Sequence, residues 1–197
     1  MQILIEGQGM DLGVGSGIML VSYCYPKLFV VLYIIILALR HSLLQMWKLN
    51  ASEEVDDDLF ALACGPDLRV RSYSTCVVNG VRYCTVERDK NKKTQNSGLT
   101  CIGGYKNENI NYYGTLKEII ELHYTIKDDG TKRSVVVFRC DWYKLDGKHT
   151  ALKDDGFYKS INISNLWYKN DCFILATQAT QVFYLPDNKY GQNWRIV

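Results

Sequence analysis

Asn79-Gly80, set between Thr75-Cys76-Val77-Val78 and Val81-Arg82-Tyr83-Cys84-Thr85, is the tightest local constraint in this chain. Two β-rich runs joined by Asn-Gly read as a hairpin with a type I′ turn, because both central residues need positive φ. That turn commits the middle of the chain to antiparallel sheet. Farther on, Ile120, Leu122, Tyr124 and Ile126 alternate with Glu121 and His123, and Leu116 and Lys117 extend the two rows. Residues 111–126 therefore read as strand and not helix, with Glu118 and Ile119 interrupting the alternation and predicting a bulge or bend. Asp128-Asp129-Gly130-Thr131 supplies a turn, and Ser134–Tyr143 returns as a second strand of a long hairpin.

Shorter strands are expected at Leu99–Ile102, ended by Gly103-Gly104, and at Ser160–Ile163, Phe173–Ala176, Val182–Leu185 and Trp194–Val197. Glu87–Ser97 reads as a polar loop. Short strands at this spacing predict a mainly β domain over residues 67–197, a small, strongly bent antiparallel barrel or sandwich, and not βαβ units.

The first fifty residues are of different material. Ile18 to Leu39 spans 22 residues broken only by Ser22, Pro26 and Lys27. It predicts a hydrophobic N-terminal helix, long enough to cross a bilayer, which needs about 20 residues. Arg40, His41 and Lys48 follow it, so a span here would place the N-terminus outside and the β domain in the cytoplasm. The competing reading is non-native sequence joined to a nuclear or cytoplasmic domain. Residues 51–66 form an acidic linker with a short helix, stopped by Gly65-Pro66.

Seven cysteines, an odd number without any C-x-x-C pair, make a poor disulfide framework and a poor zinc site. They read as small buried hydrophobes in a reducing compartment. The glycine-rich stretches Gly7-Gln8-Gly9 and Gly13-Val14-Gly15-Ser16-Gly17 lack the strand–turn–helix context of a nucleotide site. His123 in a strand and His149 in a loop offer no nucleophile a base. Asp141, Asp154, Asp155 and Asp171 could be imagined as a two-metal carboxylate set, but turn chemistry accounts for most of them. No catalytic residue, cofactor, metal or small-molecule substrate is assigned.

Net charge is only +2, yet it is unevenly spread. Between positions 65 and 110, Arg69, Arg71, Arg82, Arg88, Lys90, Lys92, Lys93 and Lys106 oppose Asp67, Glu87, Asp89 and Glu108, or 8 minus 4, a local +4. Cations that neutralise phosphates, interleaved with Tyr73 and Tyr83 for stacking, make Arg69, Arg71, Arg82, Arg88, Lys90, Lys92 and Lys93 the candidate nucleic-acid-binding residues. A solvated loop of mixed charge is the alternative. Trp167 and Tyr168 are read either as a protein-docking pair or as core.

Ordered motifs from residue 63 onward carry a resemblance. They include Gly65-Pro66, Arg69-Val70-Arg71-Ser72-Tyr73, Val78-Asn79-Gly80-Val81-Arg82-Tyr83, Thr94-Gln95-Asn96-Ser97-Gly98 and Tyr112-Tyr113-Gly114. Ile119-Ile120-Glu121-Leu122, Phe138-Arg139-Cys140-Asp141-Trp142, Trp167-Tyr168-Lys169-Asn170-Asp171 and Phe173–Ala179 follow, then Gln181–Leu185 and Asn193–Val197. Residues 63–197 thereby resemble the plant transposon-associated domain of unknown function 4216, which accompanies transposases of the CACTA (En/Spm) type. Cys172 stands where that pattern usually has proline. The resemblance implies a transposon-derived interaction domain without a catalytic residue to carry over, docking to transposase, chromatin or DNA. A single-pass membrane protein is the alternative function.

Overall fold

Alternation and turn chemistry produce strands throughout the described part of the chain. The structure, a computed structural model, describes residues 3–5, 10–12, 61–62, 64–67, 69–125, 132–145, 151–167 and 172–197. Its strands are β1 (Ile3–Ile5), β2 (Met10–Leu12), β3 (Val70–Tyr73), β4 (Thr75–Val78), β5 (Val81–Cys84), β6 (Gly98–Tyr105), β7 (Glu108–Thr125) and β8 (Lys132–Tyr143). There follow β9 (Leu152–Asp154), β10 (Lys159–Asn162), β11 (Leu166–Trp167), β12 (Phe173–Leu175), β13 (Thr180–Gln181), β14 (Leu185–Pro186) and β15 (Trp194–Ile196). A helical turn, α1 (Val86–Asp89), lies between β5 and β6. The predicted apolar helix at 18–39 and the turn at 128–131 fall outside the described residues. No helix among the described residues is long and apolar enough to cross a membrane.

The Asn-Gly hairpin forms as read. Asn79 and Gly80 take φ of 50° and 83°, and β4 pairs β5 in the register Val78↔Val81, Val77↔Arg82, Cys76↔Tyr83. Several predicted boundaries move, most by a residue or a few. β6 runs on through Gly103-Gly104 to Tyr105, residues 182–184 leave the sheet between β13 and β14, and α1 replaces the start of the polar loop.

Among the described residues the sheets are open, which corrects the barrel alternative of the predicted barrel or sandwich and leaves its mainly β class standing. A three-stranded sheet has the order β1-β4-β5 and a four-stranded one β14-β15-β10-β9. The eight-stranded sheet has the path β11-β8-β7-β3-β2, with β12 on β8, β6 on β7 and β13 on β6. Closure needs neighbours of matched length around a full ring. Here the 18-residue β7 has the 12-residue β8 as one neighbour, while the shorter β6 pairs only with residues 108–115 and β3 also joins β7, so matched partners do not continue around a ring.

By contacts the described chain divides into two units, one of residues 1–9, 73–120 and 137–197, the other of 10–72 and 121–136. Within the first, successive residues Tyr112 and Tyr113, and again Trp142 and Tyr143, are all buried. Neighbours on a strand point to opposite faces, so β7 and β8 are covered on both sides. On one side Tyr83 of β5 packs on Phe138 at 5.2 Å and donates its hydroxyl to the Ala179 carbonyl at 3.0 Å. Tyr112 meets Trp142 and Trp167, and Trp167 meets Tyr105, which assigns Trp167 to packing. On the other side Tyr113, Tyr143, Ile161 and Tyr184 form a core with Leu152, Ile163 and Val197, seating the four-stranded sheet. The Tyr184 hydroxyl donates to the Gly114 carbonyl at 3.0 Å and approaches that of Leu99 at 3.3 Å.

The predicted break in β7 is present. Its buried row, Leu116 after Tyr112 and Gly114, resumes at Ile119, one residue out of phase. Lys117 and Glu118, sequence neighbours, pair with Asp141 at 3.5 Å and Arg139 at 2.5 Å, which share a face of β8. The second unit holds β2 and β3 in antiparallel register, Met10↔Ser72 to Leu12↔Val70, with buried Ala61, Val70 and Val136. There Asp67 N–H donates to the His123 carbonyl at 2.7 Å, and His123 Nε2 lies 3.3 Å from Glu121 Oε2.

Candidate nucleic-acid interface

The chain after β5 folds back on itself through a small set of polar contacts. Thr85 caps α1, its Oγ1 accepting from Arg88 N–H at 3.4 Å, because a Ser or Thr side chain satisfies a donor that the first turn leaves open. Asp89 ends the turn with its side chain buried at 8% exposure. Its Oδ2 accepts from Asn96 N–H at 2.6 Å, and its carbonyl accepts from Lys92 N–H at 2.9 Å. The Asn96 carbonyl in turn accepts from Cys84 N–H at 2.9 Å. The Asp89 carboxylate thus links the start of a loop spanning 90–96 to its end at Asn96, and the backbone bond from Cys84 joins that end to β5. Its other oxygen, Oδ1, is buried without a hydrogen-bond partner among the described residues.

The seven sequence-predicted cations divide between the units. Arg69 and Arg71 belong to the second. Arg69 is spent on Asp67, with Nη2 3.2 Å from Oδ2 and its own N–H on Oδ1 at 3.0 Å. Arg71 stands opposite Asp11 in the ladder. The first unit holds the other five. Arg82 is exposed on β5, where its carbonyl accepts from Gln181 Nε2 at 2.6 Å. Arg88 donates to Ser74 Oγ at 3.1 Å, and Lys90 pairs with Glu87 at 2.5 Å one helical turn away. Lys92 and Lys93 are exposed and make no ion pair among the described residues. Lys92 and Lys93 are thus the two of the seven whose side chains show neither ion pair nor hydrogen bond among the described residues, with Arg88 and Lys90 beside them on the same segment.

The imagined carboxylate set does not converge. Asp141 is engaged with Lys117. Asp154 accepts from Gly156 N–H at 3.0 Å and lies 3.6 Å from Lys159. Hydrogen bonds from Tyr158 and Phe157 N–H hold the Asp155 carboxyl below its usual range. Asp171, Tyr168 and His149 lie outside the described residues. Among those described, no three His, Cys, Asp or Glu side chains are placed to share a metal ion.

Two groupings escaped the sequence reading. Lys153 Nζ sits 4.1 Å from the Tyr190 ring centroid and 5.3 Å from that of Trp194, with Lys189 Nζ 5.2 Å from Tyr190. The members lie nearly forty positions apart, so only strand pairing brings them together. At the β9–β10 turn, Asp154 and Asp155 hold a tight loop that leaves Phe157 90% and Tyr158 62% exposed. The signal for that loop, Asp-Asp-Gly before two aromatics, was legible; its exposure was not.

Residues 120–197 match the family model described as Domain of unknown function (DUF4216). That match supports such a domain in the C-terminal part of the chain. No curated protein and no solved structure matches the chain.

Proposed function

We propose that this chain is a non-catalytic interaction domain of plant CACTA-type transposon origin that docks to DNA through the loop between α1 and β6. The observation carrying this reading is the pair Lys92 and Lys93, exposed and without an ion pair among the described residues, on a loop whose two ends are tied by one buried carboxylate. A tethered loop loses less conformational freedom on binding than a free one. Lysines that have no internal partner bring their full charge to phosphates, where release of counterions drives association. Lys90 and Arg88 flank them and can exchange Glu87 and Ser74 for phosphate oxygens. The transposon lineage rests on the sequence resemblance over 63–197, and the family match supports only the domain itself, over 120–197.

The test is a fluorescence-anisotropy titration of the full chain against a labelled duplex at several salt concentrations. Affinity should fall steeply between about 50 and 200 mM salt, and Lys92→Gln/Lys93→Gln should make the log–log slope shallower by roughly 1.8. Absence of binding at the lowest salt, or a slope indifferent to the double substitution, refutes the reading. In that event a protein partner becomes the object of search.

A further inference from the structure

β12 runs antiparallel to β8 with Phe173 opposite Arg139 and Ile174 opposite Phe138. One step back along the ladder, Cys172 stands opposite Cys140, and Cys140 N–H donates to the Cys172 carbonyl at 2.8 Å. Both thiols are buried and reduced, Cys140 at 1% and Cys172 at 8% exposure. Residues facing each other at a hydrogen-bonded position of an antiparallel pair have Cα atoms about 5.5 Å apart, inside the roughly 4.4–6.8 Å that a disulfide spans. We infer that Cys140 and Cys172 form a reversible cross-strand disulfide, closed by a small-molecule disulfide such as oxidised glutathione and reopened by thiols.

Geometry makes the bond a labile one. Directly opposed Cβ atoms of an antiparallel pair typically lie about 4.5–5.5 Å apart against the approximately 3.8 Å of a disulfide, so closure draws β12 toward β8 and the bridge carries strain. Strained bridges have more oxidising potentials than structural ones and exchange readily. Access comes from β12, three residues long and paired only with β8 among the described residues. Cys172 immediately precedes it, so fraying of this short edge bares that sulfur first. The Cys172 thiolate attacks one sulfur of oxidised glutathione, breaking its S–S bond and releasing one glutathione, which takes up a proton. The Cys140 thiol gives its proton to solvent, and its thiolate displaces the second glutathione from Cys172. Two protein thiols lose two electrons, and one glutathione disulfide becomes two thiols. Burial, with the nearby Cys101 and Cys172 thiols adding to it, holds the Cys140 thiol well above its ordinary pKa, so closure waits on strand opening.

The experiment equilibrates the full chain in native buffer over a series of oxidised-to-reduced glutathione ratios. Samples are acid-quenched, alkylated in denaturant and digested with trypsin. Closure should lower the alkylatable thiols from seven to five and yield peptide 140–144 linked to peptide 170–189, with the link lost on adding dithiothreitol. Cys101→Ser should keep the link and Cys172→Ser should abolish it. A Cys101–Cys140 link in its place, a mixture of pairings like that formed in urea, or seven alkylatable thiols at every ratio overturns the inference.

Discussion

Gly114 is a point of close approach between β7 and β8, and adding one methyl group there measures how tightly the first unit is packed. A Cβ at this position would lie 2.6 Å from the Asp141 carbonyl oxygen and 2.8 Å from Trp142 Cε3. Carbon–oxygen contacts across strands normally sit at about 3.3–3.6 Å, so the overlap is roughly 0.7 Å or more. The oxygen belongs to β8 backbone, itself held between two packed faces, and cannot retreat as a side chain would. Overpacking of this kind costs about 1–3 kcal/mol, with a rigid backbone partner near the upper end. Gly→Ala also removes unfolded-state entropy, which returns about 0.4–1 kcal/mol, leaving a net loss of about 2 kcal/mol for Gly114→Ala. The internal control is Gly104→Ala, where a Cβ meets nothing within 4 Å. It should be neutral or stabilising by about 0.4–1 kcal/mol. Urea unfolding followed by tryptophan fluorescence, with buried Trp142 beside Gly114, reads both. With a slope near 2 kcal/mol per M, Gly114→Ala should lower the midpoint by about 1 M. Equal midpoints for the two variants would refute the close approach of β7 and β8.

Two other perturbations address the same core. Tyr184→Phe deletes a buried hydroxyl that donates to the Gly114 carbonyl, and should destabilise by about 1 kcal/mol in the same urea assay; an unchanged midpoint would contradict that bond. Stability should also fall at alkaline pH. Burial pushes the Cys101 thiol from 9.0 up to about 11, and it raises Tyr83, Tyr143 and Tyr184 as well. These groups are neutral when protonated, and unfolding returns them to ordinary values. The Cys101 contribution is therefore complete below about pH 9 and is lost as pH rises to about 11, and the tyrosines, ordinarily at 10.0, begin to lose theirs above pH 10. Urea midpoints should be level from neutral pH to the mid-eights and then decline, and a midpoint that holds through pH 11 would show that these groups are not buried.

Local chemistry makes several features of this protein legible in its sequence. Asn79-Gly80 specifies its own turn because the need for positive φ is met within two residues and asks nothing of the rest of the chain. The mainly β character follows from alternation, a property of neighbouring side chains. Even the phase break of β7 is visible as Glu118 and Ile119 falling out of step.

Tertiary structure alone decided which strands became neighbours, and with that every feature that bears on function. Sequence charge could not separate Arg69, spent on Asp67, from Lys93, which has no such partner among the described residues. Nor could it show that Asp89 is a buried tie and not one more surface acid. The opposition of Cys140 and Cys172 and the gathering of Lys153 with Tyr190 and Trp194 depend on register between distant segments. Openness of the sheets has the same origin, since it turns on β7 outrunning β6 and β3. Turn conformation is set by steric preferences of one or two residues, whereas strand partnership is chosen among alternatives that differ only by side-chain contacts worth about 0.2–1 kcal/mol each. Those small terms select one arrangement only when summed over the whole packed unit.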